Sequence, residues 1–166
     1  MKIGFVTCES SKLAYYFPTP AEPLLVPTEL PFTPDDQIAV NVLRDNGHEV
    51  TAVQWGCSVS SLTNYDLIIV RSPWDYMDTP ENITRFFRWI EGVEQAGIKV
   101  TNPPRFMHWL LDKHYLADLA AQGVSVIPTV YLDVSSSINL LAVFQEKGSF
   151  ILKPCIAAAG LGLLLS

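Results

Sequence analysis

Apolar and polar positions follow two rhythms along the chain. Ile3 to Thr7 is a short continuous run rich in branched residues, the pattern of a strand buried on both faces of a parallel sheet. Residues 8–34 lose all periodicity and carry Pro18, Pro20, Pro23, Pro27, Pro31 and Pro34. A loop of this length in a compact domain is ordinarily functional or disordered, and Tyr15, Tyr16 and Phe17 within it are expected to pack. Thr33-Pro34-Asp35-Asp36 reads as a helix start, with Thr33 as N-cap, Pro34 at the first helical position and Asp36 at the third. Ile38, Val42 and Leu43 are the expected apolar face, and Asn46-Gly47 the end. A second strand is predicted over His48–Trp55 and a third over Leu67–Arg71. Residues 80–96 form an amphipathic helix with Ile83, Phe86, Phe87, Ile90 and Val93 inward, closed by Gly97. Ile98–Thr101 is a fourth strand, and Asn102-Pro103-Pro104 breaks the chain.

Strands alternating with helices in this order predict a Rossmann-like α/β fold, a parallel sheet with helices on both faces. Ligands in such sheets bind beyond the carboxyl ends of the strands. The organisation changes near Asn102, so residues 1–101 and 102–166 are the expected domains. In the second, a helix runs from about Arg105 to Ala121, interrupted near Leu111. Val124–Leu132 is a strand broken by Pro128, residues 135–147 are helical, and Phe150–Lys153 is a strand followed by Ala-Ala-Ala-Gly-Leu-Gly. The apolar end, Leu163-Leu164-Leu165-Ser166, reads as an interrupted strand. No internal repeat and no low-complexity tract is present.

Composition narrows the function classes. Of the 166 residues, 49% are hydrophobic and 17% charged, which builds a core and argues against disorder. The net charge is −6 with a pI of about 4.9, and there is no basic stripe, so no nucleic-acid partner is expected. No apolar run approaches the ~20 residues of a membrane span, and the first seven residues are too short and too soon polar for a signal peptide. Cys8, Cys57 and Cys155 are odd in number and include no CxxC pair. They are expected as free thiols in a reducing cytoplasm. His108 and His114 stand six apart rather than at the four-residue spacing of a helical zinc pair, and no metal site is expected. The nucleophile elbow and the GxGxxG fingerprint are both absent.

Three clusters carry candidate chemistry. The first is Arg71-Ser72-Pro73-Trp74-Asp75-Tyr76, at a strand's carboxyl end. Arg71 can grip a carboxylate or phosphate with two parallel bonds. Asp75 can bind an ammonium group or orient Arg71, and Trp74 and Tyr76 can wall a pocket; the plain alternative is a surface turn holding an ion pair. The second is Asp112-Lys113, where Lys113 is a candidate phosphate ligand or simply a solvated side chain. The third is Lys153-Pro154 and the small-residue loop containing Ala158, Ala159, Gly160 and Gly162. A lysine ending an apolar strand needs a partner or an anion, and the loop lets backbone N–H groups approach phosphates. It is not a P-loop, and alone it fits a structural turn equally well.

In order and spacing these pieces resemble the ATP-grasp superfamily, and within it the glutathione-synthetase-like branch that includes the cycloserine-biosynthesis ligases. The resemblance runs from Thr33-Pro34-Asp35-Asp36 through Arg71–Tyr76, Asn102-Pro103-Pro104, Trp109, Asp112-Lys113, Tyr115-Leu116, Gly123-Val124 and Ile127-Pro128-Thr129 to Lys153-Pro154. It implies a pre-ATP-grasp domain over residues 1–101 and the opening of an ATP-grasp domain over 102–166. Lys113, Lys153 and the loop with Ala158, Ala159, Gly160 and Gly162 would then face ATP, and Arg71, Trp74, Asp75 and Tyr76 the acceptor substrate.

The implied chemistry is that of an ATP-dependent carboxylate–amine ligase acting through an acylphosphate, with ATP and Mg²⁺ as cofactors. Three departures stand out. Leu110-Leu111 precede Asp112 where relatives often carry an Asn, and the loop holds less glycine and no Arg. The half that would hold magnesium lies outside these residues, so the expectation is a fragment that is inactive and without cofactor by itself. The alternatives are a non-catalytic module binding a small carboxylate, and a homodimer in which a second copy covers the unpaired terminal strand.

Overall fold

Strand β1, Lys2–Thr7, is buried over five of its six residues, as its unbroken apolar run requires. The computed structural model describes residues 1–8, 32–133, 139–157 and 162–165; the expectation for Tyr15, Tyr16 and Phe17 lies outside them. Strand β2, Glu49–Gln54, pairs parallel with β1 along its whole length. Strand β3, Leu67–Ser72, pairs parallel on the other side, and the short β4, Val100–Thr101, pairs with β3. The order is β2-β1-β3-β4, so the parallel α/β sheet expected from the alternation of elements is present.

Helix α1, Pro34–Asp45, begins as its residues dictate. Thr33 Oγ1 accepts the Asp36 N–H at 3.1 Å, Pro34 occupies the first position, and Asp35 and Asp36 lie in the first turn. Its buried face differs from expectation. Ile38 and Val42 are 66% and 55% exposed, while Asp36 and Val40 are buried and Leu43 packs on the core. Asp36 can face inward because its carboxylate finds partners there, which rotates the stripe to 36–40–43. Val40 and Leu43 join Ile3, Phe5, Phe32 and Val50 in one cluster, with Phe5 and Phe32 meeting edge to face at 5.5 Å.

Helix α2, Pro80–Gln95, is capped by Thr79, whose hydroxyl accepts the Asn82 N–H at 3.2 Å. It ends where Gly97 turns into the left-handed region, φ 76°. Phe86, Trp89, Ile90 and Val93 are buried, each contributing about 1.5–3 kcal/mol by leaving water. Ile83 and Phe87 are only half-buried; Trp89 takes the inward place and its indole donates to the Cys57 carbonyl at 2.9 Å. The Phe86 ring lies 4.7 Å from Tyr76 and 5.9 Å from Trp55. Single 3-10 turns span Val59–Leu62 and Trp74–Met77.

The strand order reverses direction between β1 and β3. Beyond the carboxyl ends of strands at such a switch point lies the usual ligand position in an open parallel sheet.

The described contacts divide the chain into residues 1–107 and 108–166. Helix α3, Pro104–Leu111, runs across the division, and α4, Tyr115–Ala121, follows a break at 112–114, as expected near Leu111. Residues 124–133 form no ladder, which corrects the strand expected over Val124–Leu132. Pro128 has no N–H to offer, and Ile127 and Val130 are 82% and 69% exposed, so a hydrophobic run alone did not make a strand. Helix α5 covers Leu140–Lys147, and β5, Ile151–Leu152, pairs antiparallel with β6, Leu164–Leu165. Among the described residues no helix is long and apolar enough to cross a membrane.

Candidate functional site

The pairing of β1 with β3 shifts at its last step. Val6 faces Val70, but Thr7 faces Ser72, so Arg71 is the extra residue of a bulge. A bulge re-aims the side chain it carries. Here Arg71 Nε lies 3.4 Å from Asp36 Oδ1, with the arginine side chain 57% exposed and the aspartate 1%. The Ser72 hydroxyl donates to the other Asp36 oxygen. Two elements therefore meet at the switch point: the end of β3 and the capped first turn of α1. Asp36 satisfies both of its oxygens inside the protein, while Arg71 keeps much of its guanidinium in solvent.

The remaining residues of this cluster are placed differently from expectation. Asp75 does not orient Arg71; that partner is Asp36. Asp75 is buried and accepts the indole N–H of Trp55, and Asn82 donates to the Asp75 carbonyl at 3.2 Å. Tyr76 is 5% exposed and turned onto Phe86, and burial pushes its phenol up to about 12. Trp74 is half-buried.

Cys8, just beyond β1, is buried beside this turn. Burial first, then the Asp75 charge, push its thiol up to about 11, against the backbone N–H groups of Trp74, Cys8 and Asp75. Sequence alone assigns no site role to Asp36 or Trp55, reads Cys8 only as a free thiol, and holds Ser72 in the first cluster without a task of its own. The one signal available was Asp36 at the third helical position, which indicates a charge near a helix start, not its burial.

In the second unit Lys113 is half-buried, in the break between α3 and α4. Its ammonium donates to the carbonyls of Cys155 at 3.2 Å and Ala157 at 2.9 Å, and its backbone N–H donates to the Cys155 carbonyl at 2.9 Å. The Tyr131 hydroxyl donates to the Lys113 carbonyl at 3.0 Å. Burial lowers the proton affinity of Lys113, and the nearby Lys153 charge lowers it further, against the charges of Cys155 and Asp112. Lys153 is exposed directly after β5. Gly162 has φ 69°, and a Cβ there would meet the Pro154 ring at 2.7 Å, so the backbone closes onto Lys153-Pro154 only as glycine. Ala158, Ala159 and Gly160 lie outside the described residues.

Magnesium takes oxygen donors in an octahedron. Among the described residues the metal-ligating groups that come together are Asp112, His114 and Cys155, a carboxylate, an imidazole and a thiol. They do not fit that ion.

The first unit is thus a parallel α/β sheet with Arg71 on a bulge at its switch point, and the second holds Lys113 against the segment that follows Lys153. The fold matches the crystal structure of D-cycloserine synthetase DcsG with a TM-score of 0.75 at 24% identity, over 99% of this chain and 50% of that one. It also matches D-alanine–D-alanine ligase from Bacillus anthracis, with a TM-score of 0.59 at 12% identity, over 100% of this chain and 49% of that one. Residues 3–102 match the family model "D-cycloserine synthetase DcsG, N-terminal domain", and the chain belongs to that family. The cycloserine biosynthesis protein DcsG of Streptomyces lavendulae is 31% identical over 130 residues, 75% of this chain and 42% of that protein. The chain thus spans less than half the length of this curated relative.

Proposed function

We propose that these residues form the acceptor-binding domain and the first phosphate-facing segment of an ATP-dependent carboxylate–amine ligase. In the reaction ATP transfers its γ-phosphoryl group to a carboxylate, giving an acylphosphate and ADP. An amine or related nucleophile then displaces inorganic phosphate. In the first unit Arg71 grips the acceptor's carboxylate or another of its anionic groups beyond β3, Trp74 lines that site, and Asp36 with Ser72 positions the guanidinium. In the second, Lys113 and Lys153, with the loop containing Ala158, Ala159, Gly160 and Gly162, hold the polyphosphate.

The observation that carries this reading is the placement of Lys113, whose ammonium reaches the Cys155 and Ala157 carbonyls at 3.2 and 2.9 Å and so lies against the segment that follows Lys153. Without nucleotide the Lys113 ammonium rests on two carbonyls, which polyphosphate oxygens outbid because the acceptor is then charged.

The test is calorimetric titration of the purified chain with ATP. Weak, salt-sensitive binding is expected, lost in Lys113→Ala and Lys153→Ala, with no ADP released by the 166 residues alone. Binding that survives both substitutions overturns the lysine assignment. Vigorous ADP release overturns the expectation that further parts of the ligase are needed.

A further inference from the structure

Asp112, His114 and Cys155 bring a carboxylate oxygen, an imidazole nitrogen and a thiol sulfur within 4.8 Å of one another. Cys155 is far from the other two in sequence, and no spacing motif joins them. The geometry points to a site for a zinc-type divalent cation, distinct from the oxygen-donor magnesium of the ligase reading and independent of it.

Backbone and ring contacts hold the three donors in place. Asp112 Oδ1 accepts the His114 backbone N–H at 3.0 Å and meets the His114 Nδ1 at 2.6 Å. The His114 ring stacks on Tyr131, 4.4 Å between centroids and 19° between planes, and the Tyr131 hydroxyl is bound to the Lys113 carbonyl. The Cys155 carbonyl takes both the backbone N–H and the ammonium of Lys113. That ammonium is therefore directed at main-chain oxygens of the Cys155 segment.

Ligand atoms around a tetrahedral zinc lie about 3–4 Å apart, from metal–ligand distances near 2.0–2.3 Å. Small side-chain rotations bring these three atoms to that spacing. His114 and Asp112 are 56% and 38% exposed, so a cation has a route in and a fourth position stays open to solvent. Thiolate and imidazole favour zinc or cobalt over magnesium or calcium. On binding, the cysteine thiol releases its proton, the neutral His114 ring ligates through Nδ1 and carries its own proton on Nε2, and no electron is transferred. The ion would clip the 112–114 break to the segment after β5, the two stretches that carry Lys113 and Lys153.

Cobalt(II) alone, titrated into the reduced chain, tests this. One ion per chain is expected, with a sulfur-to-cobalt charge-transfer band and the visible bands of a four-coordinate ion, both erased by an equivalent of zinc and unmoved by millimolar magnesium. Cys155→Ser should remove the charge-transfer band, and His114→Gln and Asp112→Asn should weaken binding at least tenfold. Cys57→Ser should leave it unchanged, and far-ultraviolet circular dichroism confirms that each variant is folded. Absence of the band in the unaltered chain overturns the site. So does a band that survives Cys155→Ser, one that ignores His114→Gln, or displacement by magnesium.

Discussion

Arg71 Nε stands 3.4 Å from Asp36 Oδ1, and the two ends of this contact live in different media: the arginine side chain is 57% exposed and the aspartate 1%. A buried carboxylate with partners on both oxygens acts as an anchor, and the guanidinium that it holds is the end open to a ligand. Asp36→Ala should therefore cost about 1–3 kcal/mol in urea unfolding, because the Ser72 hydroxyl is left without its acceptor in the interior. Arg71→Gln should cost no more than about 1 kcal/mol, since half-solvated ion pairs contribute little. If Arg71→Gln proves as destabilising as Asp36→Ala, the arginine is structural and not a ligand-binding group.

The rotated face of α1 has its own test. Val40→Ala should destabilise measurably because Val40 is fully buried, whereas Ile38→Ala should stay within about 0.5 kcal/mol, as exposed substitutions do. The reverse ranking in chemical denaturation would restore the face expected from the apolar pattern.

Packing at the sheet centre predicts two opposite failures. Phe86→Ala empties a site with no solvent exposure and should cost about 3–5 kcal/mol. Gly4→Ala adds a Cβ that would meet Ile68 at 2.6 Å and Val53 at 2.9 Å, and overfilling of this kind costs about 1–3 kcal/mol. Thermal unfolding of both variants should show lower midpoints; an unaltered midpoint for Gly4→Ala would mean that β1 and β3 separate easily.

The three thiols should react in two classes. Cys57 and Cys155 are half-buried and Cys8 is buried, with its thiol raised to about 11. A chromogenic disulfide reagent should modify the first two in the native protein and Cys8 only after unfolding. Cobalt or zinc should slow the reaction of Cys155 if the cluster with Asp112 and His114 binds them.

Acid and alkali act on different groups. Burial opposes ionisation of Asp112, but hydrogen bonds from His114 and the charges of His114 and Lys113 outweigh it and lower the carboxyl below 3.8. Its contribution to stability is thus present above 3.8 and disappears as pH falls toward the lower, folded value. A carbon-detected titration should find Asp112 below 3.8, moving up in His114→Gln. At the other extreme, Cys8 and Tyr76 keep their protons to about 11 and 12 when folded, against 9.0 and 10.0 otherwise. The unfolded chain loses these protons first, so stability falls as pH rises from about 9 toward 12. Ultraviolet titration of the tyrosines should show Tyr76 ionising near 12.

Much of the fold was legible because its signals are local. The unbroken run of β1, the Thr33 and Thr79 caps with proline at the next position, Gly97 after α2 and the break after Leu111 depend on neighbours within a few residues. Steric and hydrogen-bonding rules act at that range. The apolar run at Val124–Leu132 misled: it has strand-like residues but forms no ladder, since a strand requires a partner elsewhere in the chain. The family resemblance was legible too, because it rests on the order of short motifs.

The chain alone determined its parallel α/β order and which residues offered charge at strand ends. Tertiary structure decided their company. It set Arg71 on a bulge against Asp36 and turned Asp75 toward Trp55 and Tyr76 into the core. It also carried Cys155 to Asp112 and His114. The Arg71–Asp36 and Asp75–Trp55 pairings join separate segments and satisfy buried carboxylates, a requirement that does not exist until the fold removes water.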